Sequence, residues 1–95
     1  MKIRLKPQAE NDLKKIYNYS YYHFGKRKAV QYIKEINKAF LSIQFNSSIA
    51  LKCDYIKPSL LKYVVNSHVL FLKSNKNEIV IIRILHQSQD YQRHV

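Results

Sequence analysis

The chain has 95 residues, enough for one domain with a single core and too few for two. Its 46% of hydrophobic residues exclude intrinsic disorder, and its one cysteine, Cys53, excludes an intramolecular disulfide and fits a reducing compartment. Seventeen Lys and Arg against six Asp and Glu give a formal charge of +11, which suits a nucleic acid, an acidic protein, or a solvated face with no dedicated partner.

Lys2-Ile3-Arg4-Leu5-Lys6 alternates polar and apolar residues, the period of a strand with Ile3 and Leu5 turned inward. Pro7 fixes φ and suits the first turn of a helix. Ala9, Leu13, Ile16, Tyr17, Ser20 and Phe24 then recur at three- and four-residue steps, one face of an amphipathic helix, with Glu10 and Asp12 favourably placed near its positive end. Gly25, the only glycine, falls where a left-handed C-cap is needed. A second amphipathic run, Ala29, Tyr32, Ile33, Ile36, Ala39, Phe40 and Ile43, fades at Asn46-Ser47-Ser48. The two runs form a helical hairpin with a short connection.

Residues 49–59 carry no clean period and contain Pro58, so they read as a loop. Three strand-like runs follow: Leu60–Val65, His68–Lys73 and Glu78–Leu85, the last two joined by the turn-forming Ser74-Asn75-Lys76-Asn77. The third is nearly continuous in Ile, Val and Leu, as in a central strand covered on both faces. The tail, His86 to Val95, is polar and shows no period. The expectation is a single α+β domain over residues 1–95. It has an N-terminal strand, a helical hairpin and a three-stranded antiparallel meander, with the helices on one face of a four-stranded, mostly antiparallel sheet. No apolar stretch approaches a membrane span, and Met1 opens a charged segment unlike a signal peptide, so the chain reads as cytoplasmic.

Most catalytic devices are ruled out. One glycine cannot build a P-loop or a dinucleotide fingerprint. His23, His68, His86 and His94 are scattered and only one cysteine is present, so neither a metal site nor a cofactor is expected. Chemistry-bearing side chains crowd only the end of the last strand and its tail: Arg83, His86, Asp90, Tyr91, Arg93 and His94. Arg and His together hold a phosphate and move a proton, as RNA cleavage by 2′-hydroxyl attack requires. The competing reading is a structural lock. Arg83 lies in an apolar strand where its charge must be paired, and Asp90 is a ready partner that would fasten the tail to the sheet. The lock is the favoured reading, with His68 as a hydrogen-bonded structural histidine. Tyr17, Tyr19, Tyr21, Tyr22 and Tyr32 cluster around the hairpin, a set read as core or interface before base stacking. Tyr19 and Tyr22 fall off the apolar face and are candidates for contact with a partner.

The segment KPSLLKYVVNSHVLFLKSNKNEIVIIRILHQSQD resembles the ParE branch of the RelE/ParE toxins. The resemblance rests on His68-Val69-Leu70-Phe71, then Ile79 to Ile82, then Arg83-Ile84-Leu85-His86 with Asp90 and the closing Tyr91-Gln92-Arg93-His94. The front, from Leu5 to Leu13 with Ile16, is similar to that family's strand-to-helix junction. Lys6 departs from it, because a helix-capping Ser is common there, and Ser88 stands where many members carry a basic residue. The resemblance implies a type II toxin held inactive, in a hetero-oligomer, by an antitoxin whose acidic, partly disordered C-terminal segment folds over it. It implies DNA gyrase as the target, with Tyr19, Tyr22, Arg83, His86 and Arg93 as candidate contacts to antitoxin or target. The alternative is the RelE branch, which cuts mRNA in the ribosome; Arg83, Tyr91 and His94 would then be the catalytic candidates. The Leu-His-x-x-x-Asp signature favours the ParE branch.

Overall fold

The computed structural model describes residues 1–95. Strand β1 (Lys2–Leu5) leads into helices α1 (Pro7–Phe24) and α2 (Lys26–Phe45). A 3₁₀ turn at Ser47–Ile49 precedes β2 (Leu51–Lys52), β3 (Leu61–Val65), β4 (His68–Ser74), β5 (Glu78–His86) and a last short helix, α3 (Tyr91–His94). The strands form one sheet in the order β1-β5-β4-β3-β2. β1 runs parallel to β5, and every other pair is antiparallel.

The sheet therefore has five strands and is mixed, not four-stranded. The extra strand comes from the segment expected to be a loop: Leu51 and Lys52 pair with Lys62 and Leu61, and the Cys53 N–H to Leu60 O bond of 2.8 Å closes the excursion around Pro58. Two residues are too few to show a period, which is why the sequence concealed them. The parallel pairing of β1 with β5 is possible because the helical hairpin and three strands intervene, a connection long enough for the crossover that parallel strands need.

Gly25 closes α1 and opens α2 at once: its N–H donates to Tyr21 O at 2.9 Å, and its own carbonyl accepts from Ala29 N at 3.1 Å. Its angles, φ 88° and ψ 169°, lie outside the left-handed helical cap expected and in a region open almost only to glycine. The reason is economy of chain. One residue must reverse direction between two helices, which a cap continuing into a loop does not do. Lys6 supplies no side-chain cap to α1, whose start rests on Pro7 and on Glu10 in the first turn.

The apolar faces of α1 and α2 pack on the sheet, where Ile16, Ile36, Phe40 and Ile43 meet Leu70, Leu72, Ile79, Ile81 and Ile84. Each such side chain, fully buried, stabilises the fold by about 1.5–3 kcal/mol relative to exposure. The opposite face holds a second cluster of Cys53, Leu60, Val69, Phe71 and Leu85, covered by the 53–60 excursion and by Tyr91 and Val95 of the tail. Cys53 is thus a core residue.

Two details position the site. The two-residue turn Asn66-Ser67, with Asn66 at φ 54°, sets Val65 opposite His68 at the start of β4. A bulge follows further along, because Phe71 pairs with Arg83 while Leu72 pairs with Ile81. Ile82 is the extra residue, so the alternation of β5 shifts: Ile81 and Ile84 both reach the helix-facing core, and Leu85 reaches the other. No helix is long and apolar enough to cross a membrane.

Candidate partner-binding groove

The tip of the helical hairpin stands off from the ends of β4 and β5 and leaves a groove of about 780 Å³. The helices line it with Ile16, Tyr19, Phe24, Lys28 and Tyr32, and the sheet side with Ser67, His68 and His86. His68 and His86 are cross-strand partners, so the β4–β5 register brings their rings to 5.3 Å, nearly perpendicular.

The Tyr32 hydroxyl bonds His68 Nδ1 and lies 3.3 Å from Ser67 Oγ, tying α2 to the β3–β4 turn. Burial pushes the His68 imidazolium down to a pKa of about 4, the neighbouring His86 adds to the effect, and Asp12 opposes it. His68 is therefore neutral at physiological pH. The Ser88 N–H donates to His86 Nδ1 at 3.1 Å, so a neutral His86 carries its proton on Nε2.

An ion pair joins helix to sheet. Arg83 Nε donates to Asp12 Oδ2 at 2.8 Å and Nη2 to Asp12 Oδ1 at 2.9 Å, a bidentate fork. Asp12 Oδ2 also accepts from Ile84 N at 3.0 Å. The cause is geometric. β1 ends at Leu5, paired with Ile81, so beyond that point β5 has a strand neighbour, β4, on one side only. The Asp12 carboxylate takes the N–H left open there and the adjacent guanidinium together. Asp12 raises the pKa of Arg83 further, chiefly through the hydrogen bond.

The expected Arg83–Asp90 lock is thus replaced by Arg83–Asp12. Asp90, seven positions along the chain, stays at the polar turn and accepts from Gln92 N at 3.2 Å as the cap of α3. Asp12 is 71 positions away in sequence but buried against β5. The tail is still held through Arg83, whose Nη1 donates to the His94 carbonyl at 3.2 Å. The signal for Asp12 was present. Ala9, Asp12, Ile16 and Ser20 are the buried residues of α1, at three- and four-residue steps, and a carboxylate on that stripe demands a partner.

The other candidates divide between groove, tip and tail. Tyr19 and His86 line the groove, while Tyr22 projects from the tip at 85% exposure. Arg93 is exposed on α3. Tyr91 packs its ring on Phe71 at 4.9 Å and donates its hydroxyl to the Gln87 carbonyl. Of the three residues a nuclease would use, Arg83 and Tyr91 are engaged in these internal contacts, and the His94 side chain is exposed. Ser67 and Lys28 entered the groove without having been singled out, because only the folded hairpin sets them opposite His68. No group of three or more His, Cys, Asp or Glu is arranged to hold a metal.

The geometry meets its relatives at this point. The family described as "ParE toxin of type II toxin-antitoxin system, parDE" matches residues 3–91. The Mycobacterium tuberculosis protein named Toxin ParE1 is 33% identical over 92 residues, covering 96% of this chain and 94% of that one. A Caulobacter vibrioides protein of the same name is 27% identical, covering 97% and 95%. A solved structure titled "Chromosomal ParDE TA system from P. aeruginosa" superposes with a TM-score of 0.79 at 19% identity, over 90% of this chain and 95% of that one, and so shares the fold. The chain belongs to the ParE toxin family of type II toxin–antitoxin systems.

Proposed function

We propose that this toxin inhibits DNA gyrase in the cytoplasm by binding to it, without a catalytic step of its own, and is neutralised by a cognate antitoxin in a hetero-oligomer. The observation that carries the reading is the open groove with its apolar and cationic lining, in a molecule that commits Arg83 and Tyr91 to internal contacts. Spending those two side chains on holding the tail leaves the groove and the tip as the surfaces available to other proteins. An amphipathic antitoxin segment suits the groove: apolar anchors on Ile16 and Phe24, acidic groups toward Lys28. The ParDE title of the superposed structure supports a two-component system. Tyr19 and His86 contact the antitoxin, Tyr22 at the tip and the exposed Arg93 of α3 add to the surface offered to antitoxin or gyrase, and Arg83 acts only through the tail it holds.

Purified toxin added to gyrase, with a translation reaction in parallel, tests the reading. Blocked supercoiling with intact translation is expected. Intact supercoiling with cleaved mRNA would replace it with a ribosome-dependent nuclease acting through Arg83, Tyr91 and His94.

A further inference from the structure

The hairpin tip combines a dense set of cations with several exposed aromatic rings. Between Asp12 and Glu35 there is no acidic residue, while Lys14, Lys15, Lys26, Arg27, Lys28 and Lys34 all lie in that interval. The two ion pairs of the molecule, Arg4–Glu78 and Arg83–Asp12, use none of these cations, and Glu35 accepts from Asn66 Nδ2. The same stretch exposes its aromatic rings: Tyr19 61%, Tyr21 51%, Tyr22 85% and Phe24 59%.

The exposed rings are organised around His23. Its ring centroid lies 4.1 Å from Tyr19, 5.3 Å from Tyr22 and 6.2 Å from Phe24, while Lys28 Nζ sits 6.0 Å from the centre of Phe24. Tyr22 meets His23 at 80°, so its own faces are not covered by a parallel neighbour. Lys26, Arg27 and Lys28 follow directly, across Gly25. A solvated cationic helix end has no need of exposed rings, so the pairing of rings with cations calls for a ligand that is both flat and anionic. Exposed flat rings beside cations that no carboxylate answers match a polymer carrying flat bases on a phosphate backbone. The bases must be unpaired, because a duplex buries their faces.

We infer that the α1–α2 tip binds single-stranded DNA, with bases stacked on Tyr22 and the Tyr19–His23 pair and phosphates on Lys26, Arg27 and Lys28. The preference for DNA over RNA rests on the gyrase reading; the binding is measured without gyrase, so either can fail alone.

The test is fluorescence anisotropy of a labelled oligo(dT) titrated with the full chain over a salt series. An abasic strand of equal length, an oligo(U) and a duplex serve as competitors. The base-bearing DNA strand is expected to bind at least about tenfold more tightly than the abasic one. Tyr22→Ala is expected to weaken binding on the order of tenfold without altering the salt dependence, and Tyr22→Phe, which keeps the ring, to restore it. Arg27→Gln should instead lower the slope of log affinity against log salt by about 0.7. Far-UV circular dichroism establishes that these surface variants fold. Equal binding of the abasic strand, an unchanged Tyr22→Ala, or preference for the duplex or for oligo(U) would overturn the inference.

Discussion

At the scale of single residues, the molecule turns on one carboxylate. Asp12 holds both arms of the Arg83 guanidinium and the Ile84 N–H, with 7% of its surface exposed. Asp12→Ala leaves the partly buried Arg83 without its counter-charge and the Ile84 N–H without its acceptor, and should cost about 3 kcal/mol in urea unfolding. Asp90→Ala removes only the cap of a four-residue helix and should cost about 1 kcal/mol. Equal costs would return the lock to Asp90. His68 makes a prediction in pH. Its folded pKa of about 4 lies below the ordinary 6.5, so the unfolded chain takes the proton first. The contribution of the neutral ring is complete above pH 6.5 and is lost as the pH falls from there through about 4. Urea midpoints should drop across that window, and His68→Gln should flatten the drop.

At the scale of elements, the hairpin depends on its one glycine. Nothing lies within 4 Å of a Cβ built on Gly25, so Gly25→Ala meets no clash; its cost is conformational, from φ 88°. That penalty is about 1–3 kcal/mol, readable as a lowered thermal midpoint. A cost below half a kilocalorie would mean the connection relaxes freely. The pattern of the two helices was legible in the sequence because 18 and 20 residues give several turns of periodicity. β3, β4 and β5 were legible for a similar reason, being runs of β-branched and aromatic residues bounded by turns. β2 and α3 were not: two and four residues hold too little pattern, β2 being fixed by its pairing with β3 and α3 by the packing of Tyr91 and Val95 on the second core cluster.

At the scale of the whole molecule, a +11 charge on 95 residues creates a long-range field. The on-rate of an acidic antitoxin segment should therefore fall by roughly tenfold or more between low and high salt, with the off-rate changing far less. Stopped-flow mixing reads both. An on-rate indifferent to salt would assign recognition to the apolar lining alone.

Composition, hydrophobic period and the run from His68 to Asp90 determined the class of fold, the hairpin, the central strands and the family, because these are local or additive properties of the chain. Partnership belonged to the tertiary structure. Which acid answers Arg83, the parallel placement of β1, and the meeting of Tyr32, Ser67, His68, His86 and Lys28 around one groove are contacts between residues far apart in sequence. Sequence separation alone favoured Asp90, seven positions from Arg83. Burial and the open edge of β5 chose Asp12, because a desolvated guanidinium and an unpaired backbone N–H together require a carboxylate where water cannot serve.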